Sequence, residues 1–357
     1  MMTIHSQILV SLIAGSIALF SASSFAQEPT IPDVQEEISK VLQEDKKDVD
    51  IIFTLAVEND LFGPANDDNN YTSGVRLSWF KPGVQMPVMF EKLDNYIPTF
   101  DVNETTSVYY SLGQNLYTPN DITTTNLSSD ERPYAGFLYG STGLVTAYEN
   151  HVDELEVTLG VVGPMALGEQ TQKLVHKLID TTKPEGWDYH QLENEPALMI
   201  SALRRWPEFY RTELPASMIL SAAPYSGATV GNVYTYASTG IDFRLRPKSS
   251  EWNDTPMRVR PAMPGSGYFR NQDTPFDWYL FAGLDGRAIA RNIFLDGNSF
   301  RDSPRVDKKY FVADANAGIA FTIGDWRLSY TLVYRTEEFQ TQDKSTSFGA
   351  FSLGYRF

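Results

Sequence analysis

The sequence contains no cysteine. That excludes a disulfide framework, zinc–thiolate and iron–sulfur sites, and any cysteine nucleophile. Positive charge is scarce: 29 Lys+Arg stand against 45 Asp+Glu, for a formal net charge of −16. Nucleic acid is therefore not an expected partner, because its phosphates are held by Lys and Arg. Long hydrophobic runs are also missing. After the first residues no stretch approaches the roughly 18–20 apolar residues that a membrane-spanning helix needs. Histidine is rare, with 4 in all, and the common hydrolase signatures are absent: no Gly-x-Ser-x-Gly elbow, no His-Glu-x-x-His, and no His followed two residues later by Ser.

Aromatic residues are plentiful, at 13% of the chain against a modest 42% hydrophobic content. That balance suits sheets whose two faces differ. The first residues read as an export signal. Ile8 to Phe20 is a short apolar run, followed by the small-x-small pattern Ser24-Phe25-Ala26, so cleavage is expected after Ala26. Residues 27–50 form an acidic segment expected in the periplasm, with Val34, Ile38, Val41 and Leu42 at the spacing of one weak amphipathic helix.

From Ile51 onward, segments of alternating character recur between loops rich in Asn, Asp, Gly and Pro. Ile51, Phe53, Leu55 and Val57 share one strand face. Ser73, Val75, Leu77 and Trp79 share another, opposite Thr72, Gly74, Arg76 and Ser78. Large apolar residues on one face and small or charged ones on the other fit a membrane barrel with lipid outside and a polar lumen. A soluble barrel would bury the same apolar face inward. Export, strand-end aromatics and the terminal Tyr355-Arg356-Phe357 favour the membrane. The expected fold is all-β: a transmembrane antiparallel β-barrel of about twelve strands over residues 51–357, in a bacterial outer membrane. Both chain ends then lie on the periplasmic side, and the polar connections 59–71, 117–133 and 164–194 lie at the cell exterior. The connection 247–275 is long for a periplasmic one.

One exterior connection carries a helix, expected over Leu167 to Ile179, with Leu174, Val175, Leu178 and Ile179 at helical spacing. Gln172 and His176 are four apart and share another face. Such a helix can pack on the rim or close the lumen. A neutral imidazole at His176 could take a proton from water, whereas His151 and His190 sit in turns and read as inert. At the end of the first strand, Glu58-Asn59-Asp60 supplies clustered oxygen donors. They suit either turn chemistry or a hard-cation site.

Taken in order, Glu58-Asn59-Asp60-Leu61-Phe62, Tyr71-Thr72-Ser73-Gly74, Gly113-Gln114-Asn115-Leu116-Tyr117-Thr118-Pro119, Arg132-Pro133-Tyr134-Ala135-Gly136, Gly160-Val161-Val162-Gly163-Pro164, Gln172 with His176, Gly186-Trp187 and Gln191-Leu192-Glu193-Asn194-Glu195-Pro196 resemble the outer-membrane lipid A 3'-O-deacylases. The resemblance implies a barrel that hydrolyses the 3'-acyloxyacyl ester of lipid A in the outer leaflet, with calcium as cofactor and lipopolysaccharide as the substrate-bearing partner in the surrounding outer-membrane lipid. It places functional positions at Asn59, Asp60, Thr72, Gln172 and His176. His176 would then act as general base on a water, held by Gln172 or a nearby carboxylate. A cation near Asp60, with Glu58 and Asn59 as further oxygen ligands, would stabilise the oxyanion beside the Asn59 amide. Two positions depart from the family pattern. Residues 118–131 contain no lysine, and Thr182 stands where the family has a glutamate six residues after the histidine; Asp180 and Glu185 are the neighbouring carboxylates. The competing reading is a non-catalytic barrel that is structural or binds lipopolysaccharide. A diffusion porin is a third, and it requires an open lumen.

Overall fold

The computed structural model describes residues 51–63, 70–82, 100–148 except 101 and 104, 150–207, 209–250, 256–259, 264–269 and 275–357. The expected export signal and the acidic segment 27–50 lie outside the described residues, as do the side chains of Asn70, Tyr71 and Thr72.

Thirteen strand stretches form one antiparallel sheet: β1 (Ile52–Asn59), β2 (Asn70–Lys81), β3 (Ser107–Thr118), β4 (Ala135–Ala147), β5 (Val152–Val162), β6 (Glu195–Arg205), β7 (Tyr210–Leu214), β8 (Met218–Gly231), β9 (Tyr234–Pro247), β10 (Phe276–Asn292), β11 (Phe311–Ile323), β12 (Trp326–Arg335) and β13 (Thr346–Arg356). The ring closes where β1 pairs with β13, in a register running from Ile52 opposite Arg356 to Asn59 opposite Gly349. Both β6 and β7 pair with β8, at successive heights, so they are two stretches of one strand and the barrel has twelve. The interruption falls at Trp206-Pro207, where proline has no N–H to give the ladder. The reversal that follows sits at residues 215–217, with Ala216 and Ser217 both at positive φ (63° and 55°). Neither residue type advertises that conformation, which is why a turn there is invisible in the sequence.

The alternation resolves as a membrane wall. Phe53, Leu55 and Val57 on β1 and Val75, Leu77 and Trp79 on β2 point outward, while Thr54, Glu58, Arg76 and Ser78 are buried in the lumen. No helix among the described residues is long and apolar enough to cross a membrane. Aromatic pairs gird the wall near one end, Phe53–Trp79 and Trp326–Tyr355, while Phe62–Phe351 and Tyr330–Phe351 lie farther along it. The girdled end carries the tight turns 215–217 and 324–325, the usual mark of the periplasmic side.

The lumen is crossed by ion pairs. Arg76 donates to Glu156 at 2.6 Å, and Tyr109 donates to the same oxygen at 2.8 Å. Arg335 grips Asp314 through two bonds of 2.9 Å, and Arg287 reaches the same carboxylate. The long periplasmic connection between β9 and β10 explains itself here, because its described residues run inside the barrel. Phe269 and Tyr268 pack on Ile52, Phe80 and Tyr109 at the lower end. Arg327 holds the Gly267 and Tyr268 carbonyls at 3.2 and 3.1 Å. Higher up, Met257 and Val259 pack on Ala56, and Tyr139 donates to the Val259 carbonyl. Above them an aromatic cluster of Tyr117, Phe137, Tyr234 and Phe294 fills the exterior mouth. The described part of the connection is thus a plug inside the lumen.

Candidate functional site

The helix expected over 167–179 forms as α1 (Gly168–Leu178), preceded by a single 3-10 turn at Pro164–Ala166. It lies against the outer wall rather than across the lumen. On β3 the outward residues are Tyr110, Leu112, Gln114 and Leu116, and on β4 they include Gly136. The Gln114 amide donates to the Ala166 carbonyl at 2.6 Å. At Gly136, an added Cβ would come within 3.1 Å of the Gly168 backbone. At Gly168 it would come within 2.7 Å of the Trp187 ring and 3.0 Å of the Gly136 Cα. Two glycines therefore let helix and wall touch backbone to backbone.

The amphipathic sense of α1 follows from that seat. Leu174, Val175, Leu178 and Ile179, which would seek a core in a soluble protein, are exposed on the side facing away from the wall. Met165 and Leu167 extend the same exposed stripe. The wall-facing residues are Gln172 and His176, both buried. In an outer membrane this arrangement is consistent. The apolar stripe meets lipid at the outer leaflet, and the polar pair is enclosed between helix and barrel.

His176 is held by the end of its own helix. Asp180 takes a left-handed φ of 52°, a conformation Asp tolerates. The Thr181 N–H then bonds back to the His176 carbonyl at 3.0 Å. This is the wider of the two bonds of a Schellman cap, and it turns the chain so that the Thr182 carbonyl meets His176 Nδ1. A carbonyl only accepts, so Nδ1 carries the proton and the neutral ring presents its lone pair at Nε2. The orienting group at position 182 is thus a backbone oxygen. Neither Asp180 nor Glu185 performs that task.

Gln172 does not hold the histidine. Its Oε1 accepts from the indole Nε1 of Trp187 at 2.6 Å, and its Nε2 is buried with no hydrogen-bond partner among the described residues. Trp187 opens α2 (Trp187–His190) and packs on Tyr134, Leu116 and Ile122. The other two histidines have structural partners. His190 Nε2 lies between the Leu127 N–H and the Thr125 carbonyl, pinning the 117–133 connection. His151 stacks on Tyr148 at the periplasmic turn. Burial there, reinforced by the Arg204 charge, pulls its pKa down to about 4.

The end of β1 divides the acidic cluster. Asn59 continues the outward face, and its Oδ1 accepts from the Leu61 N–H at 2.8 Å, capping the 3-10 turn Asp60–Phe62. Asp60 is buried, and its Oδ1 accepts from the same N–H at 2.9 Å. Glu58 alternates to the lumen face, where its Oε1 accepts from Arg258 Nε at 2.7 Å and from the Val259 N–H at 3.0 Å. The structure therefore does not bring Glu58 together with Asn59. Among the described residues no three acidic or histidine side chains converge to hold a metal ion. Asn59 and Asp60 still offer adjacent hard oxygen donors of the kind calcium takes. Backbone carbonyls, water or substrate would have to complete the six to eight ligands. At Thr72 the β2–β3 register shifts between Tyr71 and Ser73, so Thr72 is the extra residue of a bulge beside the Asn59–Asp60 rim. Asn59 ends β1 with Asp60 next to it, and α1 packs on β3 and β4, with the Thr72 bulge on the strand between.

Trp187, the Thr182 carbonyl and the Gly136–Gly168 contact were not legible as site components. The Gly186-Trp187 pair was visible in the sequence, but nothing there ties it to Gln172. A backbone carbonyl leaves no sequence signal.

The family model described as "Outer membrane protein LpxR" matches residues 12–357. Among solved structures the chain is similar to LpxR from Salmonella typhimurium, with a TM-score of 0.68 and 19% identity over 86% of this chain and 100% of that one. The β domain of the Bordetella autotransporter BrkA aligns with a TM-score of 0.39 and 9% identity over 87% of this chain and 98% of that one. The outer membrane enzyme PagL aligns with a TM-score of 0.25 and 10% identity over 45% and 90%. No curated protein matches the chain.

Proposed function

The chain belongs to the LpxR family of outer membrane proteins, and from that premise we propose that it is a lipid A deacylase hydrolysing the 3'-acyloxyacyl ester in the outer leaflet, with calcium as cofactor and His176 as general base. The observation that carries the reading is the enclosed polar pair on α1. A histidine with its Nδ1 proton committed to the Thr182 carbonyl lies at the outer wall, beneath a helix whose apolar stripe faces lipid. A substrate anchored by acyl chains reaches that place laterally, without entering the plugged lumen.

In the proposed reaction His176 Nε2 accepts a proton from a water as the water oxygen bonds to the ester carbonyl carbon. The bond from that carbon to the sugar 3' oxygen then breaks. The departing oxygen takes the proton from the imidazolium, leaving a sugar hydroxyl and a free acyloxyacyl acid. Asn59 and Asp60 would hold the calcium ion, which when bound supplies positive charge to the carbonyl oxygen and to a phosphate-bearing substrate. Glu58 is outside this ligand set, because Arg258 and the plug engage it on the other face of β1.

The test is deacylation of lipid A in detergent micelles by the refolded protein, with product identified by mass. Activity is expected with calcium and is lost in excess chelator. Full activity in chelator would reject the cation role, and no hydrolysis in either condition would favour the non-catalytic barrel.

A further inference from the structure

We propose that Trp187 is a positioning residue for this hydrolysis: its indole fixes the Gln172 amide so that the Nε2 donors face the acyl carbonyl oxygen. The inference rests on the deacylase reading above and adds to it a residue outside the catalytic set.

The indole N–H is a donor only, so the amide atom 2.6 Å away must be the oxygen, and the O/N orientation of Gln172 follows from chemistry. With Oε1 committed, both N–H bonds of Nε2 are directed away from Trp187. Nε2 is buried and finds no acceptor among the described residues. A buried donor left unsatisfied costs about 1–3 kcal/mol, so the fold holds a donor that awaits an acceptor. Gln172 lies one turn before His176 on the wall-facing side of α1. An ester carbonyl attacked by a water at His176 develops its negative charge within reach of that face. An amide donor aimed there is the type of group that stabilises such charge.

The indole itself cannot swing. Trp187 is 1% exposed, and its ring centroid lies 4.9 Å from that of Tyr134. Gly168, the first residue of α1, leaves just enough room for it. The wall, the helix and α2 together set one side-chain amide.

The experiment compares five refolded variants with wild type, using kcat and KM for lipid A and heat-modifiable migration as the folding check. Trp187→Phe keeps the ring packing and removes the N–H. Its kcat is expected to fall by roughly 10–10²-fold with KM little changed, less than the ~10²–10³-fold loss of a deleted oxyanion donor expected for Gln172→Ala. Trp187→Phe/Gln172→Ala should be no slower than Gln172→Ala alone, because Trp187 acts only through the amide. Trp187→His, which restores a ring N–H, should recover part of the loss. Wild-type kcat in Trp187→Phe, or losses that multiply in the double variant, would overturn the assignment. Should Trp187→Phe fail to fold, Gln172→Glu decides: it keeps the acceptor for Trp187 and removes the donor, so retained kcat refutes the proposal. A wild-type protein that hydrolyses no lipid A ester would instead refute the underlying deacylase reading.

Discussion

Arg258→Ala is the sharpest perturbation of the plug. The Arg258–Glu58 pair joins the lumen connection to β1 one residue before Asn59, with side chains 14% and 0% exposed. Removing one member of a buried ion pair typically costs about 3–5 kcal/mol, because the other charge is left without compensation. Here Glu58 Oε1 would keep the Val259 N–H, and Oε2 already lacks a hydrogen-bond partner among the described residues. Arg258 also lies over the Phe348 ring at 5.7 Å, a contact the alanine loses. Water entering the vacated space offsets part of the penalty, so the expected destabilisation is about 3 kcal/mol, at the lower end of that range. Urea unfolding in lipid vesicles reads it directly as a shifted midpoint at constant slope. The double variant Glu58→Leu/Arg258→Leu removes both charges beside the packed cluster of Ala56, Met257 and Val259. It should unfold within about 1 kcal/mol of wild type, since apolar replacement of a buried pair is often neutral. Wild-type stability in Arg258→Ala, or a double variant as weak as the single, would refute the picture of a plug locked to β1 by charge.

Three further outcomes follow from the same geometry. His176→Ala should lower kcat by roughly 10²–10⁴-fold, the contribution of a general base, with heat-modifiable migration retained; a folded variant with wild-type turnover would end that assignment. Gly168→Val should push α1 off the wall, where an added Cβ would stand 2.7 Å from the Trp187 ring. It should abolish hydrolysis while barrel strands keep their infrared signature, and a fully active variant would show that the contact is dispensable. His151 is held neutral in the fold, with its pKa at about 4 against an ordinary 6.5. The unfolded chain therefore binds a proton that the folded one refuses, and the His151 contribution to stability is present above pH 6.5 and lost as pH falls toward 4. His151→Gln should flatten the dependence of the urea midpoint on pH between 6.5 and 5, and an unchanged slope would contradict it.

Much of the wall was legible because a period of two is hard to mistake: the alternating residues 52–57 and 72–79 fall in the first and second strands. The β6–β7 interruption and the turn at 215–217 were not, since Ala216 and Ser217 adopt positive φ without glycine or asparagine to signal it. The plug escaped notice because its residues carry no period. What marks 256–259 and 264–269 is the partners they meet, Glu58, Tyr139 and Arg327, and these come from distant strands. At the site, the four-residue spacing of Gln172 and His176 placed both on one helical face, as found. Helical periodicity alone could not say that this polar face would be the buried one. That inversion depends on lipid being the solvent outside α1. Glu58 shows the limit of clustering as evidence: adjacent residues on a strand face opposite sides, so it parts from Asn59 on geometry alone.

The central claim is tested most directly by the mass of lipid A extracted from bacteria that make the protein, compared with the same strain carrying the His176→Ala form. The account predicts that the wild-type protein converts lipid A to a species lighter by the 3'-acyloxyacyl unit, with fragmentation placing the new hydroxyl at the 3' position, and that the variant leaves it intact. Unaltered lipid A in the presence of a folded wild-type protein, or loss of an acyl chain from another position, would contradict it.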